Sequence, residues 1–118
     1  MTSSPAPSVL DEETLAQLRS IGDASFFAEL IDLFVADALP RIEAMRSAIV
    51  AGDATRLAAE AHALKSSSGN VGAAAMRGIC ADLEAAARAA VLEDAARMLA
   101  QLEHEYAVAV SELRKVAP

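Results

Sequence analysis

His62, Lys65, Ser66, Ser67 and Ser68 stand within seven residues of one another, in the run Ala61-His62-Ala63-Leu64-Lys65-Ser66-Ser67-Ser68-Gly69-Asn70-Val71-Gly72. An unperturbed imidazole titrates at about 6.5, so near pH 7 one ring nitrogen has a free lone pair and is a good nucleophile. A lysine three positions on lies one helical turn away and can reach an anion attached to that ring. The pair could therefore carry an anionic group, provided the ring faces water and nothing bulky blocks it.

The flanking residues meet that condition. At 100° per residue, Leu57, Ala61, Leu64 and Ser68 share one stripe, which the leucines anchor to a core. His62 then lies about 130° from the middle of the stripe, towards solvent. Its neighbours one turn away are Ala58, Ala59, Lys65 and Ser66, all small or cationic. Ser68-Gly69 is expected to end the helix, with the glycine in the left-handed position after the last turn.

These residues resemble the histidine-containing phosphotransfer (HPt) family, whose active helix reads roughly H-x-x-K-G-S-S and then, three variable residues later, G. His62, Lys65, Ser67, Ser68 and Gly72 match it, and Ser66 stands where the family usually has glycine. The resemblance extends from Leu10 to about Val116. It implies that His62 accepts a phosphoryl group from an aspartate of a receiver domain and passes it to another receiver, with Lys65 screening the added charge. It also implies that any Mg²⁺ belongs to the partner receiver and that this chain needs no cofactor. In the family, a residue 22 positions after the histidine often hydrogen-bonds the ring, and one 26 positions after can be basic. Those positions are Glu84 and Arg88. Glu84 could orient the imidazole, with Ser66 and Arg88 in support, or it could form a plain i,i+4 surface pair with Arg88. Receiver docking is expected on a small patch around Thr55, Ala58, Ala59, His62 and Ser66, bordered by the first helix and the start of the second.

The elements that must hold this site read as helices throughout. Asp11, Glu12 and Glu13 open a short helix to about Arg19, an acidic first turn suiting the helix dipole. Asp23 or Ser25 caps a long second helix, in which Phe27, Leu30, Ile31, Phe34, Ala38, Ile42, Met45 and Ile49 recur at steps of three and four. Pro40 interrupts it and should bend it near residues 36–40; the pattern resumes in phase, which favours one bent helix over two. Gly52-Asp53 makes the next joint and Asp53 caps a third helix over residues 54–68. A fourth runs from about Ala73 to Ala90, with Met76, Ile79, Cys80, Leu83 and Ala87 inward. The fifth covers Leu92 to Val116, with an apolar 3-4 seam from Leu92 through Leu99, Leu102 and Tyr106 to Leu113. Short joints between four substantial helices imply an all-α, antiparallel up-down-up-down four-helix bundle with an additional short N-terminal helix across one end. Residues 1–9 read as a linker or tail and residues 10–118 as one domain, which favours a module of a longer chain such as a hybrid sensor kinase.

Composition narrows the function. A net charge of −7 argues against nucleic acid, which needs a basic face, and against anionic membrane. Hydrophobic residues make up 54% of the chain, yet no run approaches the roughly 18–20 apolar residues of a membrane span. The lone Cys80 excludes an internal disulfide, and Met1–Pro7 lacks the basic start and apolar core of a signal peptide, so a monomeric cytoplasmic module is expected. There is no glycine-rich phosphate loop, Walker lysine motif or evident carboxylate set for Mg²⁺, so the isolated domain reads as a phosphocarrier without an ATP site. Ser66 and His62 are four apart but lack an oxyanion hole or third partner, which disfavours a hydrolase. Neither His62 nor His104 has glutamate three positions before it, which excludes a di-iron bundle. His104, between Glu103 and Glu105, reads as a solvated surface residue and Cys80 as apolar packing. Two rivals remain: a bundle that docks a signalling partner without moving phosphate, and the phosphoacceptor domain of a chemotaxis-type kinase.

Overall fold

A computed structural model describes residues 9–117, and all regular structure among them is helical. The segment read as a linker lies, apart from Val9, outside the described residues; Val9 itself packs against the core. The five helices are α1 (Glu12–Ile21), α2 (Ala24–Ala51), α3 (Ala54–Asn70), α4 (Ala74–Arg88) and α5 (Ala95–Val116). Three begin at an aspartate whose carboxylate accepts a backbone amide in the first turn: Asp11 from Glu13, Asp23 from Phe26 and Asp53 from Arg56. Each satisfies a donor that the start of a helix leaves without a partner. Asp23, not Ser25, is thus the cap of α2, which runs unbroken through Pro40 to Gly52. That glycine closes the helix at φ 67°, a region that favours a residue without a Cβ.

α2 to α5 form a closed ring of neighbours, α2 on α3, α3 on α4, α4 on α5 and α5 back on α2. This is the antiparallel up-down-up-down arrangement expected from the short joints. Phe27, Met45, Leu57, Leu64, Met76 and Leu102 are fully buried at its centre. α1 crosses one end. The Asp11 amide donates to the Gly72 carbonyl at the α3–α4 turn (2.7 Å), and Arg19 Nη2 donates to the Val116 carbonyl at the end of α5 (3.3 Å).

Several boundaries differ from expectation. α3 does not stop at Ser68-Gly69 but continues to Asn70, and the left-handed glycine is Gly72 at φ 76°. The turn is closed from beyond the helix: the Ala73 amide donates to the Ser68 carbonyl (2.8 Å) and the Gly72 amide to that of Gly69 (3.2 Å). α4 begins at Ala74 and ends at Arg88, two residues short of Ala90, which itself is left-handed at φ 56°. α5 starts at Ala95, and Leu92 packs against the core from outside the helix. No helix among the described residues is long and apolar enough to cross a membrane.

Candidate functional site

α3 owes its rotation to Leu57, Ala61, Leu64 and Ser68, all buried on its inner face. Fully burying a leucine is worth about 1.5–3 kcal/mol, so turning this face outward is strongly opposed. His62 follows on the opposite side, with 58% of its side chain exposed. Its near neighbours Ala59, Thr55 and Ser66 lie on the same outer side and are all exposed. Ala58 is not. It is 8% exposed and belongs to the core, which corrects its inclusion in the docking patch. The reason is angular: Ala58 lies seven residues before Lys65, hence on the flank of α3 that faces α4.

That flank carries the charge centre. Glu84, on the buried face of α4, keeps only 9% of its side chain exposed and receives three side chains. Lys65 Nζ donates to Oε1 at 2.6 Å. On Oε2 converge Arg88 Nη2 at 2.6 Å, Arg88 Nε at 3.0 Å and His62 Nδ1 at 3.0 Å. The Lys65 ammonium, then the Arg88 guanidinium, hold the Glu84 carboxyl down at about 2, with the His62 bond adding to this and burial opposing it. Burying a lone carboxylate is costly, whereas one paired and hydrogen-bonded on both oxygens is tolerated. Glu84 and Arg88 are therefore paired, but not as a surface pair.

The arrangement has a direct consequence for the ring. A carboxylate held ionised can only accept, so the Nδ1 that faces it carries the proton. In a neutral imidazole this leaves the lone pair on Nε2, which has no hydrogen-bond partner among the described residues. Ser66 plays no part in this contact; its hydroxyl bonds back to the His62 carbonyl at 3.4 Å, one turn down its own helix.

Sequence reasoning missed a second polar link, on the other flank of α3. Ser67 Oγ donates to Asp37 Oδ2 at 2.7 Å, Asp37 Oδ1 accepts from Arg41 Nε at 3.0 Å, and Arg41 Nη1 reaches Glu60 at 3.3 Å. The Asp37–Arg41 pair was readable as an i,i+4 spacing; its extension to α3, 30 residues from Asp37, had no local signal. Ser68 Oγ is buried without a partner. His104 is exposed, and burial among apolar side chains pushes the Cys80 thiol up to about 12, so both keep the plain roles read for them.

The fold and site thus define a helical bundle with an exposed histidine tied through Nδ1 to an ionised carboxylate that a lysine and an arginine pair. The family model for the Hpt domain matches residues 29–112, and the chain belongs to that family, whose members are phosphocarriers that exchange phosphate with receiver domains in phosphorelays. Among solved structures it is similar to histidine-containing phosphotransfer protein B (HptB) from Pseudomonas aeruginosa PAO1. The two are 33% identical over 93% of this chain and 95% of the other, with a TM-score of 0.85. It is also similar to the histidine-containing phosphotransfer protein MtHPt2 from Medicago truncatula, at 27% identity over 91% of this chain and 80% of that one, with a TM-score of 0.78. Comparison with curated proteins gave no match.

Proposed function

We propose that this domain accepts a phosphoryl group on Nε2 of His62 from the phosphoaspartate of one receiver domain and delivers it to the aspartate of another. The observation that carries the reading is the bond from Nδ1 to the buried Glu84, on a ring otherwise open to solvent. In the transfer, the acyl phosphate P–O bond breaks, an N–P bond forms at Nε2, and the receiver aspartate leaves as a carboxylate. The Nδ1 proton stays in place, and Glu84 faces the positive charge that the ring takes on. The phosphoryl brings up to about two negative charges. Lys65, one turn away, shifts part of its interaction from Glu84 to that group, and Arg88 keeps Glu84 paired meanwhile.

The division of labour follows. The receiver holds Mg²⁺ and the phosphate-binding groups, while this chain supplies position and charge and needs no cofactor or ATP site of its own. Thr55, Ala59 and Ser66 present a surface of small side chains on which the receiver rests. The encounter is transient, of the class that buries less than roughly 1,200 Å². The domain works as a monomer away from the membrane surface, either free or attached to a sensor kinase.

The test is label transfer from a phosphorylated receiver. Wild type should acquire acid-labile, base-stable phosphate, and His62→Gln should acquire none. Phosphate on the His62→Gln protein, or none on wild type with any receiver of the same organism, would refute the assignment.

A further inference from the structure

Beside His62 the surface falls into a groove of about 680 Å³ between α3 and α4, bordered by the start of α1. Lys65 and Ser66 line its near end, Gly69, Arg77 and Gly78 its length. Its depth comes from missing side chains. A Cβ at Gly78 would meet nothing within 4 Å, and one at Gly69 would meet only the Arg77 chain, Cδ at 3.4 Å.

The charges in the groove are unevenly engaged. Lys65 is held by Glu84 at 2.6 Å. Asp11, on the rim, accepts the Thr14 hydroxyl at 2.7 Å and the Glu13 amide at 3.1 Å as the cap of α1. Arg77 is exposed and has no carboxylate within 4 Å among the described residues. On a chain of net charge −7 this is a cation without a direct ion pair, whose field reaches Asp11 across the groove. Its side chain lies against Gly69, two helical turns and about 10 Å along α3 from His62. A partner covering about 600 Å² around His62, half of the roughly 1,200 Å² that bounds a transient encounter, would overhang it.

Resting on the reading of His62 as a phosphoryl carrier, we infer that this groove is a second contact for the receiver and takes an acidic side chain from the rim of its phosphoaspartate site, set against Arg77. Complementary charge at the edge of an interface mainly speeds encounter and suppresses wrong partners. Arg77 is thus a specificity-determining residue, while the transfer step itself stays with His62.

The test uses purified receiver domains of the same organism, phosphorylated with acetyl phosphate in the presence of Mg²⁺, and single-turnover transfer to wild type, Arg77→Glu and Arg77→Lys at increasing receiver concentration. Phosphoramidate serves as a partner-free donor, losing ammonia as the N–P bond to His62 forms. For the preferred receiver, Arg77→Glu should raise the half-saturating concentration about fivefold to tenfold, the scale on which an exposed attraction gives way to a repulsion, at an unchanged limiting rate. Arg77→Lys should recover most of that affinity, added salt should slow wild type more than Arg77→Glu, and phosphoramidate should load all three proteins alike. An unchanged half-saturating concentration for Arg77→Glu across the receivers overturns the inference and leaves the carrier reading intact. A fall in the limiting rate and in phosphoramidate loading also overturns it, because Arg77 would then act on the ring itself. Failure of wild type to take phosphate from any receiver removes both readings together.

Discussion

Nδ1 of His62 lies 3.0 Å from Oε2 of Glu84, a residue 22 positions away on the neighbouring helix. The bond joins a mostly exposed ring to a nearly buried carboxylate, so one atom of the imidazole is fixed by the core and the other is offered to solvent. Replacing Glu84 by Gln keeps the shape but removes the charge that binds Lys65 and Arg88 and obliges Nδ1 to donate. Transfer through His62 should fall roughly tenfold to a hundredfold, the range seen when a group that fixes a histidine's tautomer is removed from a metal site. Nitrogen NMR of the ring at neutral pH gives an independent check: one tautomer, protonated at Nδ1, in wild type and a mixture in Glu84→Gln. An unchanged tautomer in the variant would show that Glu84 does not set it.

Glu84 also makes stability depend on pH, with a definite sign. Its carboxyl is held at about 2, below the ordinary 4.5, so the unfolded chain binds the proton more readily. The contribution is complete above about pH 4.5 and is lost as pH falls towards 2. The urea stability of wild type relative to Glu84→Gln should therefore shrink as pH falls between about 4.5 and 2. A difference that stayed level through that window would contradict the pairing.

Lys65 is expected to help without being indispensable. A cation about 4 Å from a charged group interacts by about 1 kcal/mol in water and about 4 kcal/mol at an effective dielectric of 20. Lys65→Ala should accordingly slow phosphotransfer by roughly tenfold and shorten the life of the phosphorylated state, whereas His62→Gln abolishes labelling. A Lys65→Ala protein as inert as His62→Gln would assign Lys65 a part in the chemistry itself.

Ser66 occupies the position where the family usually has glycine. Its hydroxyl bonds only to the His62 carbonyl, and the residue is exposed. Ser66→Gly should therefore cost about 0.5 kcal/mol of stability from helix propensity alone. Its rate of transfer should equal or modestly exceed that of wild type, because a partner can approach more closely. A large drop in rate would mean that the serine touches the partner.

Two glycines at the same end of the bundle should respond in opposite directions. Gly72, at φ 76°, would bring a Cβ within 3.3 Å of the Asp11 carbonyl and of Thr14 Cβ. Gly72→Ala should lose at least about 1–2 kcal/mol, the ordinary cost of a left-handed residue. Gly78 lies in α4, and a Cβ there would meet open space, so Gly78→Ala should gain up to about 1 kcal/mol. Thermal or urea unfolding of the pair distinguishes this from a general intolerance of substitution.

What the amino-acid order determined by itself was whatever acts within a turn or two. Steps of three and four apolar residues specify amphipathic helices, and Asp11, Asp23, Asp53 and Gly52 mark their limits by hydrogen bonds and dihedral preferences that reach only a few residues. The exposure of His62 follows from the same periodicity, because Leu57 and Leu64 can bury only one face of α3. Tertiary packing decided the rest. It closed the α3–α4 turn at Gly72 through bonds from Ala73 and Asp11, buried Ala58 on the flank that meets α4, and brought Glu84 to Lys65 and His62 from 19 and 22 residues away. Which side chains meet across two helices depends on their relative rotation and offset, set by the whole core at once, and no local spacing encodes that. Local spacing thus gave Glu84 only as a pair with Arg88 and the family resemblance offered it as a partner of the ring; the packed bundle makes it both, with Nδ1 of His62 at 3.0 Å.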